Sequence, residues 1–166
     1  METVSNLESL DTNTLKLLLR NELARKQEAS QADFLKFVKV VWPDFIEGKH
    51  HKIYAEKLNR IANGALKRLI VNMPPRHTKP EFASHLFPAF YMGRHPKAKL
   101  IQTTHTGELA IRFGRKAKNM IESSEYEKVF PDVKLAADSK AAGRWESNHG
   151  GEYFAAGVGG AITGRG

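Results

Sequence analysis

Cysteine is absent from the 166-residue chain, and so is any long apolar run. Without cysteine the chain can form neither a disulfide nor a thiolate metal site, which fits a reducing compartment. No stretch approaches the roughly 20 apolar residues that a membrane span requires. Residues 1–19 are polar and acidic, whereas a signal peptide would be basic and apolar. We therefore expect a cytoplasmic protein that is neither exported nor inserted into a membrane.

Acidic residues are scarce in the middle of the chain. Residues 61–120 carry 11 Lys and Arg against 2 Asp and Glu, and this segment accounts for the formal net charge of +8. A segment this basic indicates a polyanionic partner such as nucleic acid or a nucleotide, because neutralising phosphates releases counterions. A solubilising surface explains the same charge equally well.

The first part of the chain, residues 1–48, has the apolar periodicity of helices. Two helices are predicted within residues 6–42, with a break near Ser30 or Gln31. A third amphipathic helix is predicted over residues 51–65. We expect an N-terminal helical region that leads into a second, differently patterned part.

That second part, residues 49–166, alternates short apolar runs with helical patterns. Strands are predicted at residues 69–73 and 98–104. The helix after the first strand is expected to be interrupted at Pro88, and the long helix after the second strand to be capped by Thr106. A hairpin is predicted farther along, at the turn-forming sequence NHGG. This order predicts an α/β fold with a parallel sheet, whose ligands bind at the carboxyl ends of the strands.

Residues 73–80, MPPRHTKP, lie between the first predicted strand and a predicted helix, where a phosphate-binding loop would lie. Such a loop turns backbone N–H groups toward a phosphate and adds a lysine. Of the usual pattern G-x-x-x-x-G-K-[ST], only the lysine is present, as Lys79. Arg76 and Lys79 nevertheless offer two cations to a triphosphate. A basic surface turn without a ligand is the alternative.

Three segments together carry a resemblance to a known family: RLIVNMPPRHTKPEFAS, KLIQTTHTGELAIRFGRKAKNMI and DSKAAGRWESNHGGEYFAAGVGGAITGRG. They resemble the N-terminal ATPase region of the large terminase subunit of tailed bacteriophages, the motor that packages viral DNA into procapsids. The resemblance covers residues 34–166. It implies a P-loop NTPase-like sheet, with residues 1–48 as a helical region and residues 49–166 as a partial ATPase domain that ends before the Walker B strand and the nuclease domain.

The resemblance also implies an activity and its partners. The expected activity is that of an ATP-binding hydrolase in virion assembly, with ATP and Mg²⁺ as cofactors. The expected partners are double-stranded DNA, the portal protein, the small terminase subunit and a possible second chain carrying the rest of the enzyme. The expected location is the cytoplasm of the infected bacterial host.

By the same resemblance, Lys79 would neutralise the β and γ phosphates and Arg76 would stabilise the charge that develops on the transferred group. The family has glycine and Ser or Thr where this chain has Thr78 and Pro80. A β-branched residue resists positive φ, and proline removes the hydroxyl for Mg²⁺ and biases Lys79 away from helical geometry. We therefore expect weakened nucleotide binding and weak turnover at a loop formed by Pro75, Arg76, His77, Thr78 and Lys79.

Other residues are candidates to couple the nucleotide to DNA, or to contact the DNA backbone. They end the second predicted strand or lie on the helix after it, where a solvated helix face is the alternative: Thr104, His105, Arg112, Arg115, Lys116 and Lys118. Aromatic residues are sparse among them, which favours a duplex backbone over stacked single-stranded bases.

His50 and His51 occupy the position where the family has residues around the adenine base. An adjacent histidine pair on a loop is more often solvated, and the further ligands that zinc requires are not apparent, so no protein metal site is predicted. The alternative function for the chain as a whole is a non-catalytic, basic DNA-binding or assembly module derived from the ATPase.

Overall fold

A small mixed sheet is the only sheet in the described part of the computed structural model, which covers residues 11–139 and 141–160. Its strands are β1 (Lys99–Thr104), β2 (Arg144–Glu146) and β3 (Glu152–Gly157), in the order β1-β3-β2. Strand β3 pairs in parallel with β1 and antiparallel with β2. The α/β class, the second predicted strand and the hairpin are confirmed, whereas the sheet is mixed and has three strands.

Helices account for most of the remaining regular structure. Between residues 11 and 160, leaving out residue 140, there are six α-helices: α1 (Thr12–Ala32), α2 (Phe34–Val41), α3 (Lys49–Ala62), α4 (Phe87–Arg94), α5 (Gly107–Ile121) and α6 (Ser124–Val129). A π-helical segment, Glu81–Leu86, runs directly into α4. None of the helices described has the length and apolar character needed to cross a membrane.

The break between the first two helices lies at Asp33, two or three residues later than predicted. The Asp33 carboxylate accepts a hydrogen bond from the Lys36 N–H at 2.9 Å and another from Asn59 Nδ2 at 2.7 Å. These contacts cap α2 and tie it to α3. Ser30 is helical, and its hydroxyl donates to the Lys26 carbonyl at 2.8 Å within the same helix.

Aromatic side chains form the centre of the core, which joins α2, the π-helical segment, α4 and α6. Phe34 contacts Phe82 and Phe90 edge to face, with ring centroids 5.3 and 5.4 Å apart. All three rings are fully buried. Burial of each such ring stabilises the fold by about 1.5–3 kcal/mol, so the helix after residues 73–80 rests on a rigid base.

The predicted strand at residues 69–73 was wrong. Leu69, Val71 and Met73 pack against the core, while Ile70 between them is 88% exposed, so the expected alternation of side chains is present. Within the part of the chain that the structure describes, however, no strand pairs with this segment. A strand requires a neighbour to satisfy its N–H and C=O groups, and the segment remains irregular without one.

Pro88 does not interrupt the helix that follows residues 73–80, contrary to the prediction. The π-helical segment ends immediately before α4, and the Phe87 N–H donates to the carbonyl of Phe82, five residues earlier. Pro88 then lies in the first turn of α4. Because the hydrogen-bond pattern already changes there, the missing proline N–H and the bulk of its ring are accommodated without a break.

Candidate phosphate-binding loop

The loop of residues 75–78 has a strained backbone. Arg76 has φ 64° and Thr78 has φ 60°, and these are the two non-glycine residues with positive φ among those described. The left-handed conformation costs an L-residue about 1–2 kcal/mol. Left-handed residues separated by one residue of ordinary φ can direct successive N–H groups toward one anion, as in a backbone nest. Thr78 therefore adopts the kind of backbone conformation that the resemblance expects of glycine.

The helix begins directly after this loop. Lys79 and Pro80 form its first residues, and the Phe82 N–H donates to the Thr78 carbonyl at 3.0 Å. The expectation that Pro80 would draw Lys79 out of helical geometry was wrong. In the first turn of a helix the proline N–H would be unpaired anyway, and its φ of −69° suits the helix. The positive end of the helix dipole therefore faces the loop.

Two cations lie at the loop with no partner in the described part of the chain. Arg76 is exposed and Lys79 is half-buried, and neither forms an ion pair or a side-chain hydrogen bond with a described residue. Lys79 also lines a cavity of about 420 Å³, whose other walls are mainly apolar: Tyr54, Leu58, Ile61, Leu69, Val71, Ala83 and Phe87. Reduced solvation beside such walls strengthens the attraction between an ammonium and a phosphate.

His51 connects the loop to helix α3. The Gly48 N–H donates to His51 Nδ1 at 2.9 Å, so the ring proton is on Nε2, which donates to the Thr78 hydroxyl at 2.7 Å. The Thr78 hydroxyl in turn donates to the His77 carbonyl at 2.6 Å. His51 is only 6% exposed, so the expectation of a solvated loop pair was wrong for this residue.

The surroundings of His51 favour its neutral form. Burial lowers the pKa of His51, and the neighbouring His50 and His77 lower it further, whereas Glu47 raises it. The ring centroid of His50 lies 3.8 Å from that of His51 and 5.5 Å from that of His77. Because only a neutral ring can accept from Gly48 and donate to Thr78 at once, the lowered pKa preserves both bonds.

Oxygen ligands for Mg²⁺ are lacking at the loop itself. Pro80 has no hydroxyl, and the Thr78 hydroxyl is already bound to His51 and to the His77 carbonyl. The Glu81 carboxylate is bound by Lys116 Nζ at 2.6 Å and by His85 Nδ1 at 2.9 Å. Across residues 11–139 and 141–160, no group of three or more His, Cys, Asp or Glu could hold a metal. The loop fits a phosphate but does not fit Mg²⁺.

The residues predicted to couple nucleotide and DNA lie in two places. Thr104 ends β1 and donates its hydroxyl to the Thr106 carbonyl at 2.7 Å, and His105 is exposed next to it. The predicted cap of α5 is confirmed, because the Thr106 hydroxyl accepts from the Leu109 N–H at 3.3 Å. Among the residues described, no hydrogen bond or ion pair joins the side chain of Thr104 or His105 to the loop.

The cations of α5 differ in their surroundings. Arg112 and Arg115 are exposed, and Lys118 is half-buried. Lys116 is the one that binds Glu81, and it thereby joins α5 to the helix that begins at Lys79. Lys116 therefore connects α5 to the first turns of the helix that follows the loop.

Sequence reasoning missed the roles of Glu81, His85 and His51. Glu81 and His85 are four residues apart, the spacing at which side chains meet on a helix. Gly48 and His51 have the three-residue spacing of a capping box, and the histidine ring accepts from the backbone N–H as Glu or Gln would. These spacings signal the local contacts, but not the bond from His51 to Thr78, 27 residues away.

Comparisons with known proteins assign no family to this chain. No protein-family model matches it, and searches of curated proteins and of solved structures each return no match. These comparisons therefore identify no ligand for the loop, and any ligand is proposed from the loop's own geometry and charge.

Proposed function

We propose that residues 73–80 bind the phosphates of ATP, and that the chain is part of the ATPase region of a phage terminase large subunit, the ATP-driven motor that packages viral DNA, and carries the phosphate-loop half of the ATPase site. The observation that carries the proposal is the left-handed Thr78, directly before a helix that begins at Lys79. Backbone strain persists where the surrounding structure imposes it, and it is concentrated at ligand sites. A β-branched residue at positive φ is unfavourable in an ordinary solvated turn, so its presence directly before this helix supports a binding role for the loop.

In this proposal the two cations act on different parts of the nucleotide. Lys79 neutralises the β and γ phosphates from the first turn of the helix, and Arg76 stabilises the charge that develops on the transferred group. The N–H groups of the loop and the helix dipole add fixed positive charge at the same place. The side-chain oxygens around the loop do not fit Mg²⁺, so no step is assigned to the metal.

The same proposal accounts for the edge of β1 that has no partner strand. The edge of β1 away from β3 has no partner strand in the described chain, and residues 69–73 are also without one. A cavity of about 290 Å³ is lined by residues 99–102 of β1 and another of about 420 Å³ by Leu69 and Val71, and the two cavities share the lining residues Ile61, Ala83 and Phe87. An unpaired strand edge pairs readily with another strand. We propose that further strands, supplied by the rest of the enzyme, complete a P-loop NTPase-like sheet here.

DNA is proposed to bind along α5. Arg112 and Arg115 are exposed and suited to phosphates of a duplex. Movement of α5 would reach the loop through the bond between Lys116 and Glu81, since Glu81 lies two residues after Lys79. The portal protein, the small terminase subunit and the cytoplasm of an infected bacterium belong to the same proposal.

A second candidate is a non-catalytic, DNA-binding or assembly module derived from that ATPase. It is favoured by Pro80, which removes the hydroxyl that would bind Mg²⁺. It is also favoured by the side-chain oxygens of Thr78 and Glu81, which already bind His51, His85 and Lys116 and so are not available to a metal. In this case α5 would still bind a duplex, and the loop would bind a nucleotide weakly or not at all.

Equilibrium binding of a fluorescent ATP analogue, with and without Mg²⁺, distinguishes the two candidates. Lys79→Ala is expected to weaken binding roughly ten- to a hundredfold, because a charge-assisted hydrogen bond contributes about 1.5–3 kcal/mol. Lys97→Ala removes an exposed lysine outside the loop and should leave binding unchanged. Pro80→Ser should add a Mg²⁺-dependent gain.

The opposite result would favour the module. If the folded chain binds no analogue and neither Lys79→Ala nor Pro80→Ser changes this, the ATPase proposal is wrong. Salt-dependent binding of a DNA duplex, weakened by Arg112→Ala and Arg115→Ala, would then support the non-catalytic candidate.

A further inference from the structure

We propose that His51 is the positioning residue that holds the loop in its phosphate-binding conformation, through the hydrogen bond from its Nε2–H to the Thr78 hydroxyl. The inference rests on the proposed function of the loop and gives His51 a role other than contact with a base. Both ring nitrogens are committed to protein atoms, with Gly48 at 2.9 Å and Thr78 at 2.7 Å. No ring nitrogen is left to recognise a ligand.

Thr78 needs an external support because its conformation is unfavourable. Two of its hydrogen bonds are local: its hydroxyl donates to the His77 carbonyl, and its own carbonyl accepts from the Phe82 N–H. Both partners belong to the same loop and helix and can move with it. The bond from His51 is the one that ties the Thr78 side chain to a separate element, α3.

His51 is itself fixed by the core, so it can serve as an anchor. Its ring centroid lies 4.8 Å from that of Phe45 and 5.3 Å from that of Phe82. The Gly48 N–H sets the orientation and the tautomer of the ring by donating to Nδ1. A ring held on its faces and at one nitrogen presents the other N–H in a fixed direction.

The position of Thr78 decides what this anchor controls. Thr78 lies between His77 and Lys79, so a change of its φ from positive to negative redirects the N–H groups of the loop and the start of the helix. Without the anchor the chain would relax to the conformation that a β-branched residue prefers. The N–H groups and Lys79 would then no longer converge on one phosphate.

The test combines two substitutions of His51 with one of Thr78. His51→Asn keeps an acceptor near Nδ1 and removes the donor to Thr78, whereas His51→Gln can keep a donor near Nε2. We expect His51→Asn to weaken binding of a fluorescent ATP analogue about tenfold, the factor that corresponds to the left-handed penalty, and His51→Gln, which keeps the donor but loses the Gly48 bond and the ring packing, to weaken it less.

The effect of His51→Asn is also measured in a Thr78→Gly variant, because glycine adopts positive φ without support from His51. In Thr78→Gly, adding His51→Asn should leave the affinity unchanged. An equal loss in both backgrounds would show that His51 matters only for packing and would overturn the proposal, as would full binding by His51→Asn alone. If His51→Asn does not fold, Thr78→Val and Thr78→Ser replace it. Thr78→Val lacks the hydroxyl and should lose affinity about tenfold, whereas Thr78→Ser keeps the hydroxyl and should not. Equal affinities of these two variants would overturn the proposal.

A readout without nucleotide separates this inference from the proposed function. If neither the wild type nor Thr78→Gly binds the analogue, the proposed function fails, and the ¹³Cα and ¹³Cβ chemical shifts of Thr78 decide the role of His51. A change from left-handed to extended values in His51→Asn supports the anchor. Unchanged shifts overturn it.

Discussion

The two segments that flank the loop differ in how they are fixed to the rest of the fold. The helix after the loop buries Phe82, Leu86 and Phe90 in the aromatic core, all at most 1% exposed. The segment before the loop, residues 69–73, packs alternate side chains on the core but has no strand partner among the residues described. The loop is thus anchored by the helix after it and by His51 of α3, and not by a strand that precedes it.

The largest expected effect tests the well-packed side. Phe82→Ala should lower the free energy of unfolding by about 3–5 kcal/mol, because it leaves a cavity among Phe34, Phe45 and Tyr54. Ile70→Ala, at the exposed position before the loop, should change it by at most about 0.5 kcal/mol. Urea denaturation followed by circular dichroism measures both. Similar losses for the two variants would mean that the segments are equally packed.

A smaller effect is expected where the helix after the loop meets α5. Glu81→Gln weakens the contacts with Lys116 and His85 and should lower the free energy of unfolding by about 1 kcal/mol. Burial raises the pKa of Glu81, but its bonds to Lys116 and His85 outweigh this and hold the pKa below 4.5. The stabilisation is therefore present above pH 4.5 and is lost as the pH falls below it.

Glu56→Gln is the matched control for that substitution, since among the described residues Glu56 pairs with the adjacent Lys57 alone, on an exposed part of α3. Thermal unfolding at pH 7 should show a lower melting temperature for Glu81→Gln alone. A loss as large in Glu56→Gln would show that removing any surface charge has this effect.

The smallest expected effect is a slope of stability with pH near neutrality. Burial lowers the pKa of His51 and of His85 below 6.5, in His85 against the opposing effect of Glu81. The unfolded chain therefore binds more protons below pH 6.5, so the free energy of unfolding should be constant above that pH and fall below it. Urea denaturation between pH 5 and 7.5 measures the slope, which should be shallower in His85→Gln. A flat profile in the wild type would contradict both shifts.

Features that depend on local chemistry could be predicted from the sequence. Strand β1, the hairpin of β2 and β3 and the Thr106 cap follow from alternating apolar residues, turn residues and a hydroxyl before a helix. Residues 69–73 have an equally apolar pattern, yet a strand also needs a partner, and no local pattern specifies one. The position of the loop was predictable, while its interpretation as an ATP site remains a prediction.

Features that depend on distant contacts could not be predicted. Thr78 at positive φ contradicts its own propensity, and the bond that accompanies this conformation comes from His51, 27 residues earlier. The pairing of Lys116 with Glu81 likewise spans 35 residues and joins two separate helices. From sequence Lys116 resembles its exposed neighbours Arg115 and Arg112, because charge alone does not distinguish a solvated cation from a paired one.

The π-helical segment sets the rotational phase between the two ends of the helix after the loop. In an α-helix each residue advances the chain by about 100° around the axis. A π-helical turn contains an extra residue, so the residues on its N-terminal side are rotated about the axis by a comparable angle relative to those on its C-terminal side. Phe90 in α4 faces the aromatic core, and this fixes the far end of the helix. The direction of the Lys79 side chain relative to that of Phe90 therefore depends on the length of the π-helical segment Glu81–Leu86.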